Sequence, residues 1–206
     1  MYARSTTIRG NPPVVDGGIA YIRDEVMPAV QQLEGCVGLS MLCEWETGRS
    51  ITTTAWADAE ALHRSADAVM AMGQRAAEIM GGDAQVEEWE IGVLHRIHES
   101  RDGACARVIW SRGNPASFDR VIDTFRLSTL PRVEELPGFC SVSVMVDRDR
   151  GRVAIAVGYA NRDEMNAAQE RGMALRREFN SHMGLEATEV AEFDLVLAHL
   201  RVPETV

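Results

Sequence analysis

The feature that most constrains this chain is that it repeats itself. Pairing residues 2–98 with 105–201, a constant offset of 103 without a gap, gives 24 identities in 97 positions. The clearest match is Ala3-Arg4 … Arg9-Gly10-Asn11-Pro12 against Ala106-Arg107 … Arg112-Gly113-Asn114-Pro115. Pro28/Pro131, Gly35/Gly138, Gly48-Arg49/Gly151-Arg152 and Met80-Gly81/Met183-Gly184 continue it. An internal repeat of this length means one structural unit used twice, which limits architecture more than any bulk property does. The boundaries that follow are a first domain over 1–98, a linker over 99–104 and a second domain over 105–206.

Each copy reads β-α-β-β-α-β. In the first, Val15, Ile19, Ile22, Val26, Val30 and Leu33 step by three or four residues, one apolar face of a helix. Pro28 and Pro131 fall within that stripe and predict a kink or break about one turn earlier. Gly35 and Gly138 are natural helix stops. Alternation over Val37–Cys43 and Cys140–Val146 predicts strands. A second helix begins after Asp58, and after Asn161, which has Glu164 three residues on. The last strands fall at roughly 85–96 and 188–200. This order is the ferredoxin-like split unit, with helices on one face of an antiparallel sheet. The other face is also apolar, and a second copy would cover it.

Composition removes several function classes. The formal net charge is −10, which argues against nucleic acid as a partner, since phosphate binding needs clustered positive charge. All 21 basic residues are arginine, so chemistry that needs a lysine amine is excluded. The absence of a membrane-length apolar run and of a secretion signal predicts a cytoplasmic protein without a membrane partner. Nucleotide-binding glycine loops and the serine-hydrolase elbow are missing. His95 and His98, three apart at a strand end, point to opposite faces, so no metal is expected.

The runs Glu25-Val-Met-Pro28 … Leu33-Glu-Gly35 … Gly48-Arg49 … Thr54-Ala-Trp56-Ala-Asp58 resemble the antibiotic biosynthesis monooxygenase (ABM) family of dimeric α/β barrels. Pro131 … Leu136-Pro-Gly138-Phe139 … Gly151-Arg152 … Tyr159-Ala-Asn161 carries the same pattern again. The resemblance implies an α+β protein whose tandem ferredoxin-like repeats form an intramolecular pseudo-dimeric α/β barrel, with a further homodimer open to it. It also implies a cofactor-independent monooxygenase acting on a small aromatic or quinol-like molecule. The alternative is a non-catalytic small-molecule-binding or structural barrel. Haem degradation fits least. That branch carries a tryptophan and a histidine where this chain has Ser65 and Arg75, or Ala168 and Glu178.

Oxygenation without a cofactor asks for an apolar cavity, a base and an oxyanion donor. His63, on the second helix, is the candidate base. Asn11 matches the asparagine that some cofactor-free relatives use to orient oxygen or substrate. Trp56 and Tyr159, at equivalent strand ends, and Tyr21 are candidate aromatic walls. Arg4 and Arg107 recur mid-strand and could meet a substrate anion, although a cross-strand carboxylate is the simpler partner. The first repeat holds more tryptophan and histidine, so it is the expected home of a site. A polar-lined cavity of roughly 300 Å³ or more there would favour an enzyme, and a solid core would favour the alternative. One irregularity stands out. Trp89 pairs with Glu192 and Glu90 with Phe193, a polarity swap that suggests a shifted register.

Overall fold

A computed structural model describes residues 1–98 and 102–200; of the linker, 99–101 lie outside the described residues. The first repeat supplies β1 (Tyr2–Arg9), α1 (Val15–Tyr21), α2 (Met27–Gln31), β2 (Cys36–Glu44), β3 (Arg49–Trp56), α3 (Ala59–Arg64), α4 (Ala66–Met80) and β4 (Ala84–Arg96). The second supplies β5 (Cys105–Arg112), α5 (Phe118–Thr124), α6 (Leu130–Glu134), β6 (Phe139–Asp147), β7 (Arg152–Tyr159), α7 (Arg162–Ala167), α8 (Gln169–Met183) and β8 (Glu186–Leu200). The hydrogen-bonded strand order is β1-β3-β2-β8-β5-β7-β6-β4, which closes into a barrel. The tandem ferredoxin-like α+β architecture is therefore present. No helix among the described residues is long and apolar enough to cross a membrane.

The proline in the first helix of each repeat acts as its sequence position predicts. A proline has no N–H to donate, and its ring crowds the carbonyl one turn back. The turn before it widens into π-helix, over Ile22–Val26 and over Phe125–Thr129. Met27 N–H bonds to the Ile22 carbonyl and Leu130 N–H to the Phe125 carbonyl, both spanning five residues. The second helix differs from expectation: it is two helices, broken at Ser65 and at Ala168. The Asp58 carboxylate and the Asn161 amide oxygen cap its start, accepting from Ala61 N–H and Glu164 N–H.

Compact packing divides the chain differently from the repeat. One unit comprises Met1–Trp89 with the end of β8 from Asp194; the other comprises Glu90–Phe193. In the first unit, β2 pairs with β8 from Cys43↔Asp194 to Gly38↔Leu200. In the second, β6 pairs with β4 from Val146↔Glu90 to Ser141↔Arg96. Asp194 thus stands where Glu90 stands, an offset of 104. The bulges agree, since each register shifts after Ile91 and after Leu195. The repeat that is ungapped in sequence carries one extra residue in space, between Gly184 and Glu192. The polarity swap disappears in this register: Trp89 matches Phe193, and both are buried.

Candidate site in the second unit

Both units are built around a buried arginine. Arg4 on β1 is 1% exposed and donates through Nε and one terminal nitrogen to the Glu88 carboxylate, at 3.1 and 2.6 Å. The other terminal nitrogen reaches Ser65 Oγ at 2.9 Å, and the Leu62 carbonyl accepts at 2.9 Å. Arg107 on β5 repeats the arrangement with Glu192 at 2.9 and 2.6 Å and the Met165 carbonyl at 3.4 Å. Its Ser65 equivalent is Ala168, which offers no oxygen. Arg107 instead lies against Tyr159, with its guanidinium carbon 6.0 Å from the ring centroid.

Beside this pair the second unit holds a cavity of about 60 Å³. At 10–15 Å³ for each water-sized group it has room for roughly four to six of them. Helical spacing supplies one wall, since Gly172, Arg176 and Asn180 recur every four residues on α8. Phe125 and Thr129 come from the π-helical turn, with Val133 one turn on. The sheet wall comes from alternate residues of β5 and β7: Arg107 and Ile109, then Ile155, Val157 and Tyr159. The lining is mostly hydrocarbon with a few polar groups, the usual composition of a small-molecule site, but the cavity is well below the roughly 300 Å³ that would favour an enzyme.

Those polar groups have defined states. Burial pushes the Tyr159 hydroxyl above its ordinary value, with the Arg107 charge opposing, so near neutral pH it is a neutral donor. Arg176 is pulled below its ordinary value, first by burial and then by the like charges of Arg177 and Arg107. Among the described residues no carboxylate lies within ion-pair distance of Arg176. Asn180 is 8% exposed, and its side-chain oxygen is buried without a hydrogen-bond partner. A small molecule here meets cationic donors, a hydroxyl donor and one acceptor in need of a donor.

The first unit has the same frame and a different filling. Val69, 6% exposed, stands where Gly172 opens space, and Ala77 stands where Asn180 does. Of the residues picked out from sequence, Tyr159 and Arg107 line the cavity. Trp56 is fully buried in the first unit's core and donates to Thr54 Oγ1 at 3.1 Å. Arg4 is occupied by Glu88, Ser65 and Leu62. His63 is exposed on α3, and Tyr21 is half-buried against the first core. Asn11 is exposed and makes no side-chain cap, although its N–H bonds to the Met80 carbonyl at 2.7 Å. These five residues belong to the first unit, whereas this cavity belongs to the second. Its position also departs from the expectation that the first repeat would hold a site. The tryptophans and histidines behind that expectation mostly pack or face solvent. Asn180 and Arg176 were missed, but a helix-interior glycine aligned with Val69 across the repeat was a readable signal. Among the described residues no group of three metal-ligating side chains comes together.

The described residues form a ferredoxin-fold barrel whose second unit holds an apolar, arginine-edged cavity. Known structures share the fold. A "putative monooxygenase" from Fusobacterium nucleatum superposes with a TM-score of 0.71 at 12% identity, over 99% of this chain and 96% of that one. An anthrone oxidase-like protein gives 0.66 at 12% identity, over 97% and 93%. A Listeria monocytogenes ferredoxin-fold protein related to antibiotic biosynthesis monooxygenases gives 0.55 at 8% identity, over 95% and 94%. No family model matches the chain. By sequence the chain belongs to the family of the Mycobacterium tuberculosis proteins Rv2558 and Rv2557. It is 45% identical to the first over 100% of this chain and 88% of that protein, and 44% identical to the second over 100% and 92%.

Proposed function

We propose that this protein binds a small aromatic or quinol-like molecule as its oxyanion, in the cavity of the second unit. The observation that carries this reading is Arg176: a half-buried guanidinium lining an apolar cavity, beside an Arg107 that Glu192 already pairs, with no carboxylate of its own among the described residues. Burying a charge costs free energy unless it is paired, and an anionic ligand supplies the pair. Tyr159 contributes a hydroxyl donor to the same oxygen, and Ile155, Val157 and Phe125 take the ring edge. The volume suits a single ring and excludes a fused polycycle. Benzoate titrated by calorimetry is the direct test. Saturable binding that weakens about tenfold or more in Arg176→Met is the expected result, given what charged hydrogen bonds contribute. No saturable binding to the wild-type protein sinks the proposal.

Oxygenation without a cofactor is a second reading, favoured by Arg176 and the Tyr159 hydroxyl. They lower the cost of holding a phenolate or enolate, and such an anion can pass an electron to dioxygen. The radicals combine into a ring-carbon peroxide, and loss of water leaves a carbonyl: for hydroquinone, C₆H₆O₂ plus O₂ gives hydroxybenzoquinone, C₆H₄O₃, plus H₂O. The lining contains neither histidine nor carboxylate, so the substrate would enter already ionised. Oxygen uptake with hydroquinone at pH 8–9 separates the readings. Uptake that falls in Arg176→Met supports turnover, and binding without uptake leaves a binding protein.

A further inference from the structure

We infer that Asn180 makes the cavity selective for a bifunctional ligand, one carrying a hydroxyl or N–H donor at the end opposite its oxyanion. The inference rests on the oxyanion-binding reading above and extends it to ligand class. Three observations carry it. The Asn180 side chain is nine-tenths buried and lines the cavity, yet its oxygen has no partner. A buried amide oxygen left unsatisfied is costly, so such groups in native proteins normally meet a ligand or an ordered water. Second, the first unit has Ala77 at this position, so the fold itself does not require a polar group there.

Third, the polar groups are spread along α8. A Cβ built on Gly172 would lie 3.9 Å from a terminal nitrogen of Arg107 and 4.0 Å from the Tyr159 hydroxyl. That places the Arg107–Tyr159 donors beside the first turn of the cavity wall. Arg176 follows one turn on and Asn180 one turn beyond it, eight residues and about 12 Å from Gly172 along the axis at 1.5 Å per residue. Donors at one end and an acceptor at the other match a ligand whose polar groups lie across a ring. Neighbouring groups, as in a catechol or an ortho-hydroxy acid, would satisfy only one end. Gly172 then acts as the space-determining residue, since a larger side chain there would press on Arg107, Leu136 and Tyr159 together.

The test compares benzoate, 4-hydroxybenzoate and 2-hydroxybenzoate by calorimetry on the wild-type protein, Asn180→Leu and Asn180→Ser. The expected result is about tenfold tighter binding of the 4-hydroxy compound than of benzoate, the usual worth of one satisfied buried hydrogen bond. That advantage should vanish in Asn180→Leu, which should bind 4-hydroxybenzoate no more tightly than it binds benzoate. The 2-hydroxy compound should bind like benzoate. Equal wild-type affinity for benzoate and 4-hydroxybenzoate overturns the selectivity and leaves oxyanion binding standing; it means water alone satisfies Asn180. Failure of all three compounds overturns both readings. Should Asn180→Leu not fold, Asn180→Ser and the wild-type ratio decide the matter by themselves.

Discussion

The two units share a frame and differ in what fills it. Each has a strand arginine held by a carboxylate from the last strand and by a helix carbonyl. In the first unit Ser65 completes the arginine's bonding, and Val69 fills the space beside it. In the second, alanine and glycine take those places, Arg107 turns to Tyr159, and Arg176 and Asn180 bring polar groups to the cavity. A duplicated scaffold can keep one copy packed for stability and spend the other on a ligand. Here Val69 is buried in one unit, and Gly172 lines a cavity in the other.

The sharpest way to break this comparison is truncation after residue 98. The first unit then loses the β8 segment from Asp194, and the edge of β2 from Gly38 to Cys43 loses its hydrogen-bonded partner. An exposed edge recruits other chains, so light scattering should show self-association. A well-behaved monomer would mean that the first repeat is self-sufficient.

Next in size is Val69→Gly, which gives the first unit the second's open space. Lost burial, a residual cavity and a helix-interior glycine together should cost about 3 kcal/mol in urea denaturation. A loss below about 1 kcal/mol would show that Val69 does not hold that core. The reciprocal change, Gly172→Ala, should stabilise by about 0.5–1 kcal/mol, because alanine is the better helix former. Its new methyl meets its nearest neighbours at 3.9–4.0 Å, ordinary contact, so the gain should come with weaker benzoate binding.

The smallest effect concerns pH. Tyr159 has a raised value in the folded protein, so its contribution is complete below its unfolded value of about 10 and is lost as pH rises through the folded value. Urea midpoints at pH 8 and pH 11 should therefore fall less in Tyr159→Phe than in the wild type. An equal fall would place the alkaline loss elsewhere, Cys43 being the next candidate, since burial pushes its thiol up to about 11.

Much of the fold was legible because its signals are local. A proline inside an apolar stripe, a glycine after a helix and an alternating run each act within a few residues. The register of the last strands was legible only as an anomaly, the mismatch of Trp89 with Glu192. Its resolution needed the partners, Arg4 for Glu88 and Arg107 for Glu192, which lie 84 and 85 residues away. The candidate site was harder to read for a different reason. Reactive or aromatic side chains such as His63, Asn11 and Trp56 stand out in a sequence. A cavity is made by what is missing, and Gly172 announces itself only when set beside Val69.

The end of β8 belongs with the first unit, and this has a consequence during synthesis. Between Trp89 and Asp194 the ribosome must add 105 residues. At 5–20 residues per second that takes roughly 5–20 s. For that interval the nascent first unit is missing a strand, and β2 has no permanent neighbour on one side. Its completion waits on the last residues to emerge, so assembly of this half follows translation, and chaperones able to shield a bare strand have their longest opportunity there.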